Sequence, residues 1–264
     1  MSRAVDYRQV SAKYYDDAYA TKEDLQDLEF YVDMAKASGG PVLELACGTG
    51  RVLLPIAREG ISIHGVDNSL PMLNVLQDKL RQELKDVREL VSTSHGDIRH
   101  FRSNRVYPLV IIPFRPLQHM HTVEDQIAAL QTAAFHLESG GTLVFDVFYP
   151  KFDSLNSNVG EEFLELEWTS KSDRSKVVRR YLRKESVDKI NQNFTATFIF
   201  RTYQDERLVQ EETELLRMSY YTYQHLRALF LLTGLEIVEE YGSFEKTPLD
   251  NEAQQMIFVL KRSS

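Results

Sequence analysis

A single cysteine, Cys47, among 264 residues leaves no partner for an internal disulfide and no thiolate set for a zinc site, which fits a reducing compartment. Long hydrophobic runs are also missing. No stretch approaches the roughly 18 consecutive apolar residues of a membrane-spanning helix, and the opening MSRAVDYRQV lacks the apolar run of a secretory leader. The expectation is a cytoplasmic chain with no membrane partner. There is no basic excess either: 31 Lys and Arg stand against 39 Asp and Glu, a net charge of −8, which repels a polyphosphate backbone. The clearest basic cluster, Arg179, Arg180, Arg183 and Lys184, reads as the wet face of a strand, so nucleic acid is not an expected partner. The sequence contains neither an internal repeat nor a low-complexity tract.

What is present is the composition of a folded domain, 43% hydrophobic and 27% charged, with length enough for one large domain carrying an insertion. Residues 1–40 read as helical and hold an aromatic cluster, Tyr7, Tyr14, Tyr15 and Tyr19, before a second helix that Thr21 caps with Asp24 at the answering position. From 41 to 150 short apolar strands alternate with amphipathic helices. The strands fall at Val42–Leu45, Ile61–Val66, Leu90–Ser94, Leu109–Ile112 and Thr142–Val147, and the helices start at Val52, Pro71 and Val123. Such alternation predicts a parallel sheet covered on both faces. Gly60 and Gly140-Gly141 stand where helices stop.

Residues 151–220 change to long β-type stretches. In Phe194–Tyr203, Phe194, Ala196, Phe198 and Phe200 share one face while Thr195, Thr197 and Arg201 share the other, which predicts an inserted antiparallel sheet with one covered face. Residues 221–264 return to the first rhythm: a Thr222-capped helix to Leu232, a stop at Gly234, and strands at Leu235–Tyr241 and Met256–Leu260.

The sharpest local signal is Val42-Leu43-Glu44-Leu45-Ala46-Cys47-Gly48-Thr49-Gly50-Arg51, a strand entering a Gly-x-Gly turn and then a helix. Glycine lets the backbone come close to a ligand, and the open helix start offers N–H groups. Two details argue against a nicotinamide site. Leu53 occupies the place of the third glycine, and Glu44 puts a carboxylate where a pyrophosphate would meet repulsion. Glu44 suits a ligand with a cationic end, as S-adenosylmethionine has. Asp67 ends the next strand, where a carboxylate accepts ribose hydroxyls. Gly96-Asp97-Ile98 follows the third strand, where Asp97 and the Ile98 N–H suit an adenine edge, and Met72 is placed to pack on its face. The alternative for Asp67 and Asp97 is a cap, and for Met72 a place in the core.

These motifs, E-L-A-C-G-T-G-R, G-V-D-N-S-x-x-M-L, G-D-I, P-F-x-x-L-Q-H and G-G-T-L-V-F-D, resemble those of the class I S-adenosylmethionine-dependent methyltransferases. The N-terminal Y-Y-D-x-x-Y and the β-rich insertion resemble the bacterial small-molecule branch, which includes amino-sugar N-methyltransferases and is similar to the glycine and sarcosine N-methyltransferases. The resemblance covers residues 10–150 by motif and 215–262 by pattern. It implies an α/β fold: a Rossmann-like sheet with helices on both faces and an inserted antiparallel β-sheet. Residues 1–40 become a lid, 41–150 the donor-binding core, 151–220 the insertion and 221–264 the completion of the core. Pro108 departs from the family, which often has Asp before the fourth strand, and a local structural effect is expected.

The resemblance further implies S-adenosylmethionine as cofactor, with Glu44, Ala46 and Gly48 at its methionine part, Asp67 at the ribose, Asp97 and Ile98 at the adenine, and Gly50 and Pro113 also among the cofactor-binding residues. Tyr15 and Tyr19 become a lid, and Pro113, Phe114, Gln118 and His119 edge the acceptor pocket. The alternative for the tyrosines is an amphipathic helix packing its aromatics on a core. His119 and His121 follow the fourth strand, in the crevice where open α/β sheets bind ligands; they are candidate proton acceptors, and capping or surface histidines otherwise. Tyr15 is a further catalytic candidate, because a tyrosine holds an amine without adding positive charge. His136 and Cys47 read as structural, and no metal site is expected.

Methyl transfer from a sulfonium is a direct displacement, so alignment supplies most of the acceleration and no catalytic triad is required. The expected acceptor is a small polar molecule methylated on nitrogen, with oxygen the rival. A nicotinamide oxidoreductase and a donor-binding protein without turnover are the other classes. A homodimer through the inserted sheet is a further expectation.

Overall fold

The computed structural model describes residues 8–21, 26–155 and 157–263. Tyr7 and Asp24 lie outside them, so only the Thr21 half of the expected capping pair is described, and its hydroxyl donates to the Ala18 carbonyl at 2.7 Å. The chain forms two compact units, one of Met1–Leu25 with Lys151–Ser219 and the other of Gln26–Pro150 with Tyr220–Ser264. The two N-terminal helices, α1 (Arg8–Tyr19) and α2 (Asp27–Ser38), therefore fall in different units.

The larger unit starts from β1 (Val42–Leu45), every residue of which is buried. It pairs in parallel with β2 (Ile63–Asp67) on one side and β4 (Tyr107–Ile112) on the other. In turn, β3 (Val91–His95) joins β2, and β5 (Leu137–Phe148) joins β4, both in parallel. Between them run α3 (Leu53–Arg58), α4 (Leu70–Leu80), α5 (Lys85–Leu90) and α6 (Val123–Phe135). The caps follow local chemistry. Ser69 accepts the Met72 N–H ahead of α4, which has a first-turn proline, and Thr122 accepts the Asp125 N–H ahead of α6.

Two elements differ from the sequence reading. Helix α5 buries none of its residues, so no apolar stripe announced it. Strand β5 starts at Leu137 rather than Thr142, because Gly141 lies so close to β4 that a Cβ there would sit 2.8 Å from the Tyr107 carbonyl oxygen. The β4–β5 register slips between Tyr107 and Leu109, at Pro108, which has no N–H to give the ladder.

The smaller unit contains α7 (Phe152–Leu155) and an antiparallel sheet in the order β6 (Glu162–Thr169), β7 (Lys176–Asp188), β8 (Asn193–Gln204), β9 (Arg207–Ser219). Ala196, Phe198 and Phe200 form the expected covered face with Trp168, Val178 and Leu216, and α1 covers it with Tyr14 and Ala18. The Tyr14 ring stacks on Phe200 at 4.9 Å, and its hydroxyl donates to Glu212 at 2.6 Å. On the other face Arg201 pairs with Glu162 and Glu211, and Arg183 with Glu162 and Glu185. The basic cluster on β7 is thus not one wet face. Arg179 points out to Glu167, whereas Arg180 is buried, held by Glu165 and stacked on Phe198, because successive side chains of a strand alternate.

The chain then completes the larger sheet with α8 (Tyr223–Thr233), β10 (Leu235–Tyr241) and β11 (Gln255–Arg262). Thr222 caps α8 and Gly234 ends it in the left-handed region. The order is β10-β11-β5-β4-β1-β2-β3, with β11 antiparallel to both neighbours. One apolar core contains residues of α6 and α8, and a second contains residues of α2, α3 and α4. The connections run outward from β1 in one direction and from β4 in the other, so the carboxyl ends of these two strands form the switch point where such sheets bind ligands. No helix among the described residues is long and apolar enough to cross a membrane.

Candidate active site

The turn after β1 is left-handed at three places: Ala46 (φ 64°), Gly48 (φ 54°) and Gly50 (φ 79°). The two glycines serve different ends. A Cβ on Gly48 would meet open space, which leaves its backbone bare toward a ligand, whereas one on Gly50 would lie 2.4 Å from Leu76 Cδ1 of α4. Gly50 therefore permits packing of the turn on the helix. Asp67, at the end of β2, braces this turn: one oxygen accepts the Gly48 N–H at 2.8 Å and the other the Ser69 N–H at 2.7 Å. A carboxylate has about four acceptor positions, so hydroxyl donors can add to these two bonds. Cys47 is buried against Gly65, and burial pushes its thiol well above the usual range, which makes it a packing residue.

Glu44 is buried, and among the described residues its Oε2 accepts no hydrogen bond. Burial pushes its carboxyl well above the usual carboxylate range, Arg51 opposes that shift, and Asp67 and Asp27 add to it. A buried acceptor left unmatched costs about 1–3 kcal/mol, and a ligand ammonium supplies the missing donor. The bare backbone of Gly48, the braced Asp67 and the unmatched Glu44 oxygen therefore fit S-adenosylmethionine.

Asp27, absent from the sequence reading, and Arg51, which appeared there only as the end of the turn motif, form an ion pair beside this turn. Asp27, the first residue of α2, is fully buried and takes the Arg51 guanidinium with both carboxylate oxygens, the Nη1 bond being 2.9 Å. Arg51 also stacks on the Phe114 ring at 4.6 Å. In sequence Asp27 is merely an acidic residue in a first helical turn, and nothing local points to Arg51.

The segment after β4 holds the acceptor-side candidates. Pro113 is buried, and Phe114 and Arg115 are both left-handed, at φ 67° and 70°; such residues cost roughly 1–3 kcal/mol each when they carry a side chain. A short 3-10 turn, Pro116–His119, follows. Gln118 is fully buried, and its side-chain carbonyl accepts the Phe148 N–H at 2.9 Å, so it ties the loop to β5. The Tyr221 hydroxyl donates to the Leu117 carbonyl at 2.7 Å, and the Gln126 amide donates to that of Met120 at 3.1 Å. His119 and His121 are half-buried on this pinned loop.

Elsewhere in the larger unit, Ile98 and Met72 are buried. Asp97 is engaged by Arg99, whose side chain forks between Asp97 and Asp125; these bonds hold the Asp97 carboxyl below its usual range. His136 is structural, as expected: its Nδ1 donates to the Thr132 carbonyl at 2.8 Å, and its Nε2 accepts the Ser103 N–H at 3.1 Å. Tyr15 and Tyr19 belong to the smaller unit. Their rings lie 4.6 Å apart on the half-buried flank of α1, Arg180 lies over Tyr19, and Tyr14 alone of the described cluster enters the core. Among the described residues no group of three or more His, Cys, Asp or Glu is placed to hold a metal ion.

Residues 42–141 match a family described as a methyltransferase domain. Over 228 residues the chain is 25% identical to the cypemycin N-terminal methyltransferase of a Streptomyces species, covering 85% of this chain and 84% of that one. Over 134 residues it is 31% identical to the dTDP-3-amino-3,4,6-trideoxy-alpha-D-glucopyranose N,N-dimethyltransferase of Streptomyces venezuelae, covering 50% and 52%. Its fold is similar to that of the CcbJ methyltransferase from Streptomyces caelestis, with a TM-score of 0.82, 25% identity and 98% of both chains covered. The methyltransferase domain and these relatives support an S-adenosylmethionine-dependent methyltransferase with a Rossmann-like class I fold, with S-adenosylmethionine as its cofactor.

Proposed function

We propose that the chain methylates a nitrogen atom of a small polar molecule. One observation carries this reading: a donor turn with an unmatched buried carboxylate oxygen and a pinned loop bearing His119 and His121 leave adjacent strands at the same sheet end. Two of its relatives are, in addition, named for methylation of a peptide N-terminus and of an amino sugar. When bound, the cofactor supplies a methyl group on a positively charged sulfur. The chain's own residues bind and orient: Glu44 and the bare Gly48 backbone take the methionine end, Asp67 the ribose, and Asp97 with Ile98 the adenine, beside Met72. Pro113 and Phe114 border the acceptor. A protonated amine has no lone pair with which to attack, so His119 or His121 takes its proton, directly or through water.

The test is a methyl-transfer screen of amines, amino sugars, hydroxy acids and phenols, with mass spectrometry to locate the new methyl group. Methyl on nitrogen supports the reading; methyl on oxygen or carbon overturns it. On the accepted amine, replacing the responsible histidine by Asn should lower turnover most at low pH while donor affinity stays nearly constant. Equal pH–rate profiles for both variants and the parent enzyme would remove the histidines from the mechanism.

A further inference from the structure

Asp146 lies within β5 and is buried. Its Oδ1 accepts two hydrogen bonds, from the Phe114 N–H and from the Tyr31 hydroxyl of α2, each at 2.7 Å. Its Oδ2 faces Arg115 Nε at 4.0 Å. Phe114, which it bonds, and Arg115, which it faces, are the consecutive left-handed pair that opens the loop after β4. A left-handed pair with side chains does not hold itself, because the Cβ crowds the carbonyl oxygen. It persists only when surrounding bonds over-determine it. Asp146 ties the head of this pair to β5, the Gln118 N–H donates to the Arg115 carbonyl at 3.0 Å within the loop, and Tyr221 and Gln126 act further along. Phe114, once held, stacks on Arg51 at the start of the helix entry that follows the donor turn.

We propose that Asp146 is a positioning residue for methyl transfer: one buried carboxylate oxygen, steadied by Tyr31, fixes Phe114 and Arg115 in their left-handed conformation and so sets where the loop presents His119 and His121. The role belongs to the geometry of Oδ1 rather than to charge. Asparagine keeps an oxygen at that position, alanine does not, and Tyr31→Phe removes one of the two bonds.

The kinetic arm rests on the methyl-transfer reading; the exchange arm does not. Amide hydrogen exchange of the full chain, free and with S-adenosylhomocysteine, follows peptides spanning 113–121 and the β1–α3 turn. Asp146→Ala should speed exchange in 113–121 by about tenfold or more, with the β1–α3 turn unchanged, and Asp146→Asn should stay within about threefold of the parent. On the acceptor found by the screen, Asp146→Ala should lower kcat by roughly a hundredfold with donor KM little altered, as a misplaced group does, and Asp146→Asn should recover most of the rate. If Asp146→Ala does not fold, Tyr31→Phe reads the same peptides and should speed their exchange to a smaller extent. Unchanged exchange in 113–121 for both Asp146→Ala and Tyr31→Phe overturns the proposal, as does an Asn variant as impaired as the Ala one. A chain that methylates no nitrogen acceptor but shows the exchange pattern sinks the functional reading and leaves the role of Asp146 in place.

Discussion

Two loops leave the same end of the larger sheet, after β1 and after β4, and both require left-handed backbone. The first gets most of it from glycine, at Gly48 and Gly50; the second takes it at Phe114 and Arg115 and is held by Asp146 from β5, with Tyr221 and Gln126 pinning its continuation. The first conformation is therefore written into the loop itself, and the second is imposed by side chains remote in sequence. It follows that the donor turn tolerates few changes within itself or at its one brace, Asp67, whereas the loop after β4 depends on side chains from several elements.

The largest expected effect is in the donor turn. Gly50→Ala places a methyl group in the space of Leu76 Cδ1 at a φ that alanine disfavours, and should cost about 2–4 kcal/mol in urea denaturation. A cost of less than about 1 kcal/mol would remove the distinction between the loops. Next comes Asp67→Ala, which removes both the brace on Gly48 and the proposed ribose acceptor. It should weaken S-adenosylhomocysteine binding by about 1.5–3 kcal/mol in calorimetry while the fold persists.

Smaller still is Tyr221→Phe, which leaves the Leu117 carbonyl without its buried donor. About 1 kcal/mol of stability should be lost, with donor affinity unchanged; a calorimetric change in donor affinity would couple the two loops more tightly than their separate supports imply. The smallest effect sharpens the comparison at a third loop, after β3, where Phe101 sits against Gly96 and stacks on His136. Burial lowers the His136 pKa from 6.5, the Thr132 carbonyl opposes this and Arg102 adds to it. The unfolded imidazole then takes a proton that the folded one refuses, so this contribution is complete above about pH 6.5 and is lost as pH falls through the folded value. Urea midpoints should fall more steeply on acidification in the parent than in His136→Gln, and parallel curves would contradict this.

The same contrast explains what could be read from the sequence. Glycine spacing, Glu44 and Asp67 marked the turn after β1 as the proposed donor site because its chemistry lies within one strand–turn–helix and the strand beside it. The cap at Thr222 and the alternation in β8 are equally local. Asp146, Tyr31 and the Asp27–Arg51 pair were not legible, since each acts on a residue that the fold brings from another element. The bond that Gln118 accepts from the Phe148 N–H was not legible either, because P-F-x-x-L-Q-H carries no sign of β5. Tyr14, Tyr15 and Tyr19 read as one cluster, yet helical spacing turns Tyr14 with Ala18 into the core and leaves the other two on the flank.

Helix α1 precedes the strands it covers, β6 to β9, which come only after β1 to β5 of the other unit. Its apolar stripe of Val10, Tyr14 and Ala18 thus has no native partner until those strands are synthesised. Closing a contact across so long an intervening segment is slow, because the loop entropy must be overcome before the packing compensates. The larger unit likewise waits for β11, which follows β10 in the chain yet inserts between it and β5. Nascent chains halted before β9 should therefore expose the α1 stripe to chaperones or to one another.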